Sequence, residues 1–322
     1  MCGIIAIVRR RSTRPIPDVD ALSTSLTAAL AAVPTGTEGD LAARLLDVGE
    51  RLAAVDRELR GEAGLVAMVG DQAFVAATAT VVGQIDERIG VIEAELEARG
   101  DTVPDLEAVN GALVALKDAA WSLERDRLRA AAEVVALAGP AVDGGTGTGG
   151  AVEPTRSALA SLFSIQQALS NLDRLEVRGR DSAGLHVLVR GHGLDLGSGE
   201  LADLLVDRTD DPLFIDRAVR VVDGHLGFVY KAAAEIGELG DNTASMREAI
   251  AVDRLLHRAL AGADAEATVL AHTRWASVGI ISQPNAHPVN SEELGDRAGP
   301  YVTAALNGDV DNFADLIAAD SL

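Results

Sequence analysis

The only cysteine of the chain is its second residue, and it opens a run of strand-forming side chains, Gly3-Ile4-Ile5-Ala6-Ile7-Val8. Once Met1 is removed, Cys2 carries a thiol and a free α-amine on one residue. A free thiol titrates near ~8.5 and an α-amine near ~8, so the amine can take the thiol proton, directly or through one water, as an N-terminal threonine nucleophile does. The bland alternative is a cysteine that follows the initiator by chance and packs as a small apolar side chain. Position alone does not separate the two readings, so the residues downstream must.

Three later stretches carry residue types that could complete such a site. Arg178-Gly179-Arg180-Asp181-Ser182-Ala183-Gly184 forms a turn after a helical pattern. His272-Thr273-Arg274-Trp275-Ala276-Ser277-Val278-Gly279 follows a short apolar strand pattern, with Asn285-Ala286-His287-Pro288 close behind. Asn307-Gly308-Asp309 ends a last strand pattern. Each has an ordinary reading: Arg274 as a surface ion pair, Trp275 as a core anchor, Asn307-Gly308 as a turn. The histidines, at 186, 192, 225, 257, 272 and 287, show no metal-ligand spacing, and no cofactor motif stands out. Gly145, Gly147 and Gly150 fit G-x-G-x-x-G, but they follow an Ala/Gly/Pro stretch and precede Pro154, which suits a flexible linker better than a phosphate loop.

Taken together, in this order, the motifs resemble the glutaminase domain of glutamine-fructose-6-phosphate aminotransferase, the glucosamine-6-phosphate synthase family of class II glutamine amidotransferases. The resemblance covers about residues 1–10, 156–190 and 268–315. It implies an α+β architecture, the four-layer αββα fold of N-terminal-nucleophile hydrolases, present in part. It implies that Cys2 attacks the side-chain amide of glutamine and releases ammonia through a thioester, with no cofactor. Asn307, by its side-chain amide, and Gly308, by its backbone N–H, match the oxyanion hole. Arg274 would hold the glutamine α-carboxylate by a two-pronged contact, and Trp275, Ser277 and His287 would line or close the substrate site. Arg178 and Asp181 would support it.

The sequence also departs from that pattern. Ser277-Val278-Gly279 stands where the family has Thr-His-Gly, so an imidazole is lost. The family's aspartate for the substrate α-amine would fall beyond Leu322, as would the phosphosugar isomerase domain that supplies the ammonia acceptor. The expectation is therefore the amino-terminal part of a longer enzyme. The competing reading is a catalytically degenerate scaffold whose helical insertion binds a partner protein.

The elements that must position these residues divide as follows. Residues 1–12 give a first strand. Residues 13–138 are Ala-, Leu-, Glu- and Arg-rich at helical spacing and read as an inserted helical module, with Asp18 or Asp20 capping its first helix and loops near 35–39, 61–64 and 99–104. Its charges read as solvated faces. Residues 139–154 form the Gly-rich linker, and 155–322 the remainder of the glutaminase part. There we expect a helix from Thr155 or Ser157 to about Leu175, strands over 185–189, 218–222, 268–271 and 301–306, helices over 232–239 and 246–260, and a helix starting near Asn312.

Composition narrows the classes. With 322 residues and 48% hydrophobic side chains, the chain can bury a sizeable core, built from aliphatic residues because aromatics are only 3%. A formal charge of −21 opposes a phosphate backbone and argues against nucleic acid as a partner. One cysteine allows no internal disulfide, and Arg9, Arg10 and Arg11 follow rather than precede the first apolar run, unlike a secretory signal. No stretch has the length of a membrane span, so the expected location is cytoplasmic. A homo-oligomer is left open.

Overall fold

The computed structural model describes residues 2–100, 104–139, 154–209, 211, 213–233, 238–276, 279–292 and 300–320. The chain is mixed α+β and divides into two compact units, Arg11–Val135 and a second made of Met1–Arg10 with Ala136–Leu322. Most of the expected Gly-rich linker, 140–153, lies outside the described residues.

The first unit is helical. It contains α1 Val19–Ala32, α2 Leu41–Leu59, α3 Gly61–Gly70, α4 Gln72–Arg99 and α5 Leu106–Trp121, then a π-helical stretch Ser122–Leu128 and the start of α6 Arg129–Ala138. Aspartates set three of the starts: Asp18 accepts from the N–H of Asp20 and Ala21, Asp40 from Ala43 and Asp71 from Phe74. Leu45, Leu52 and Leu59 of α2, Ile85, Ile89 and Ile92 of α4, and Leu113 and Leu116 of α5 are buried together at helical spacing. Helices α2 and α5 pack closely at Gly49, where a Cβ would lie 3.4 Å from the backbone of Leu116, in ordinary contact. The buried carboxylate of Asp56 is paired with both Arg60 and Arg127. The expected loop at 61–64 is instead the start of α3. Gly61, at φ +72, turns the chain within one residue, and Gly64 lies against the carbonyl of Leu59 where no Cβ would fit.

The second unit is built on a sheet. In chain order it has β1 Gly3–Val8, α7 Arg156–Leu175, a 3₁₀ turn Glu176–Arg178, β2 Ser182–Arg190, α8 Gly199–Leu205, β3 Val219–Val222, β4 His225–Ala232, α9 Asp241–Ala251, α10 Arg254–Leu260, β5 Glu266–Arg274, β6 Val289–Asn290, β7 Thr303–Ala304 and α11 Phe313–Asp320. Five strands form one antiparallel sheet in the order β1-β5-β2-β4-β3, while β6 and β7 pair separately. The register aligns Ile4 with His272, His272 with Gly184 and Gly184 with Lys231 across four strands. Thr155 caps α7 through its hydroxyl, and the helix buries Leu162, Ile165, Leu169 and Leu172. Gly3 lies against the last turn of α7: a Cβ there would come within 2.6 Å of Leu175 Cδ1.

Several expectations need correction. At the ends of the helix expected over 232–239, Ala232 instead closes β4 and Leu239 and Gly240 form a turn, while 234–237 lie outside the described residues. The helix over 246–260 is two helices, because Asp253 caps a new one by accepting from Leu255 and Leu256 N–H. Burial alone would raise the Asp253 carboxyl. The two-pronged Arg208 guanidinium and the Tyr230 hydroxyl outweigh burial and hold it below the ordinary value. The last strand is shorter than 301–306, with only Thr303 and Ala304 paired.

No single described helix is long and apolar enough to cross a membrane. Helices α3 and α4 reach that composition only as a pair bent by 103°.

Candidate functional site

Strand β5, which lies between β1 and β2 in the sheet, delivers the candidate residues to the amino end of β1. Because β1 runs antiparallel to β5 with Gly3 opposite Thr273, Cys2 emerges beside the residues that leave β5. The Gly3 N–H donates to the Thr273 hydroxyl at 3.1 Å, which fixes the backbone next to Cys2. The Trp275 N–H then points at Cys2 Sγ, 3.4 Å away. From the other side, the Asn307 side-chain amide donates to the Cys2 carbonyl at 2.9 Å. Residues separated by as many as 305 positions thus meet around one cysteine.

Asp181 braces this corner. Its N–H donates to the Arg274 carbonyl at 3.2 Å, and its carboxylate accepts from Ala276 N–H at 2.7 Å, so the peptides on both sides of Trp275 are tied to the residue preceding β2. The Trp275 ring itself is 56% exposed, which makes a core anchor the wrong description of it. The Arg274 guanidinium reaches over the following loop and donates to the Ile280 carbonyl at 3.1 Å, an acceptor it shares with the Asn285 side chain. Gly308 has φ +152, a conformation that a side chain would strain.

His287 and His272 lie behind Asn307. His287 Nδ1 accepts from the Leu306 N–H at 3.0 Å, and His272 Nε2 contacts the Leu306 carbonyl at 3.1 Å. Their rings pack at a tilt of 31° with centroids 4.7 Å apart. Burial, reinforced by His287 and Arg274, lowers His272 to about 4. Burial, followed by the charges of Arg274 and Lys231, also lowers His287.

Of the candidates read from sequence, Cys2, Trp275 and Asn307 are brought into direct contact, with Gly308 next in chain and Asp181 and Arg274 flanking. His287 is engaged with Leu306 and His272. Arg178 ends the 3₁₀ turn, but its side chain, like the whole of Ser277 and Val278, lies outside what the structure describes. Sequence reasoning assigned no role to Thr273 or His272. Their signal was available in the strand alternation: His272 and Thr273 are the last two residues before Arg274 on the strand that carries the arginine to the site.

Chemically, the corner offers a thiol, a side-chain amide donor beside it, and a cation one strand away. Among the described residues no group of three or more His, Cys, Asp or Glu side chains is gathered to hold a metal ion. No family model, curated protein or solved structure matches the chain.

Proposed function

We propose that this chain is the glutaminase part of a class II glutamine amidotransferase of the glucosamine-6-phosphate synthase type, with the N-terminal-nucleophile hydrolase fold. The observation that carries the reading is the meeting of Cys2 with the Trp275 backbone and the Asn307 side-chain amide. In this reading the five-stranded sheet and α7 are one sheet and one helical layer of the αββα stack, and Arg11–Val135 is an insertion after the first strand.

The proposed chemistry begins once Met1 is removed. The Cys2 α-amine takes the thiol proton, and the thiolate attacks the side-chain amide carbon of glutamine. The carbonyl oxygen becomes an oxyanion facing the Asn307 amide and the Gly308 N–H, donors that stabilise charge present only in the transition state. The α-ammonium returns its proton to the leaving nitrogen, ammonia departs and a thioester remains. A water molecule then adds to the thioester, restoring the thiol and releasing glutamate. Arg274 supplies the cation for the substrate carboxylate, and Trp275 covers the site. In the whole enzyme, ammonia passes to fructose 6-phosphate held by an isomerase domain. The setting is cytoplasmic and no cofactor is required.

The test is intact-mass measurement for loss of Met1, followed by exposure to an electrophilic glutamine analogue. Stoichiometric labelling of Cys2, and glutamine hydrolysis that falls to background in Cys2→Ala, are expected. Retained Met1 with no labelling would overturn the reading in favour of a degenerate scaffold.

A further inference from the structure

Strand β7 ends at Ala304, so sheet pairing does not fix the segment that carries Asn307 and Gly308. Two imidazoles hold it instead. Both main-chain groups of Leu306 end on a histidine ring, the N–H on His287 Nδ1 and the carbonyl on His272 Nε2. The rings are anchored to a single row of the sheet. His272 is paired with Ile4 on one side and Gly184 on the other, and the His287 carbonyl sits where a Cβ on Gly184 would be, 2.2 Å away. That row includes the strand that carries Cys2, so the histidines tie the segment behind Asn307 to the strand behind the thiol.

The hydrogen-bond pattern dictates the proton positions. His287 Nδ1 accepts, so it is bare and its proton is on Nε2. His272 Nε2 faces a carbonyl, so it carries the proton, and its buried Nδ1 has no hydrogen-bond partner among the described residues. A proton added to His287 would set N–H against the Leu306 N–H. The titratable and charged groups that bear on His287 are Arg274 at the end of β5 and Lys231 of β4, and those on His272 are His287 and Arg274. All disfavour a further positive charge.

We propose that His287 and His272 form a proton-sensitive clamp on the Leu306 peptide that positions Asn307, closed while both rings are neutral and opened by a proton on His287. Its consequence for catalysis rests on the glutaminase reading; the clamp itself does not.

The experiment is long-range ¹H–¹⁵N NMR of the imidazoles in the full chain, with amide hydrogen exchange at Leu306. Both rings are expected as Nε2–H tautomers at neutral pH, and the protection factor of the Leu306 amide should fall as His287 titrates on the acid side. An Nδ1–H tautomer of His287 at neutral pH, or protection indifferent to its titration, overturns the proposal whether or not any variant folds. In His287→Asn an acceptor remains that does not titrate in this range. The further loss of Cys2 labelling that accompanies His287 titration in the wild type should then be absent, leaving only the acid dependence of the thiol and α-amine. Labelling with an acid limb identical in wild type and His287→Asn refutes the clamp and leaves the glutaminase reading intact. The expected tautomers and protection, with no labelling at any pH, refute glutaminase and leave the clamp.

Discussion

The helical unit and the sheet unit use contacts of different range. In Arg11–Val135 the buried leucines and isoleucines recur at helical spacing within each element, and capping aspartates act on neighbours three residues away or fewer. In the sheet unit the contacts that build the site join residues 95, 270 and 305 positions apart. Local periodicity is enough to mark the helices and the faces they bury, although distant pairs such as Asp56 and Arg127 also join them. Placing a terminal thiol beside two distant turns takes antiparallel pairing, because register fixes which residues stand opposite each other. The difference teaches that the candidate chemistry depends on sheet register and the groups that lock it, and that none of its residues belongs to Arg11–Val135.

Substitutions in the two units can break or sharpen that contrast. The largest effect after loss of Cys2 itself is expected from Asn307→Ala, which removes one oxyanion donor of the proposed mechanism and on that reading should lower kcat for glutamine hydrolysis by ~10²–10³ in steady-state assays. Leu52→Ala, fully buried in α2, should cost the helical unit about 2–5 kcal/mol in chemical denaturation followed by circular dichroism. In the folded protein it should leave the rate of Cys2 labelling unchanged, and a parallel loss of labelling would break the contrast. Gly184→Ala should cost about 1–3 kcal/mol, because its Cβ meets a backbone carbonyl that cannot yield as a flexible side chain can. Labelling should slow with it, since the obstructed carbonyl belongs to His287. Asp18→Ala should cost only ~1 kcal/mol by removing the cap of α1, with no change at the thiol.

What could be read in advance follows the same division. The helices of the first unit were legible from apolar spacing, and the start of α1 from its capping aspartate. The turn at Gly61 was misjudged, since two nearby glycines suggest a loop unless one knows that Gly64 packs on Leu59, and the break at Asp71 between α3 and α4 was not expected. In the sheet unit, residue types announced Cys2, Trp275 and Asn307. Strand β4 was missed because nearly every residue of His225–Ala232 is buried, on both faces, leaving none of the polar alternation that marks a half-buried strand. The break between α9 and α10 was hidden because Asp253 looks like any helical aspartate until Arg208 and Tyr230 are seen to converge on it. The grip on Leu306 was not legible, since nothing local to a leucine says that two distant imidazoles hold its peptide.

The pairing of β1 with β5 has a temporal consequence. A hydrogen bond joining residues 270 positions apart cannot form while the chain is still emerging between them. At ~5–20 residues per second of synthesis, the amino end waits roughly 15–50 s for its partner strand to be made. During that interval Cys2 has no sheet to pair against. In the proposed mechanism, synthesis order would leave this interval for trimming before the strand behind the thiol is paired.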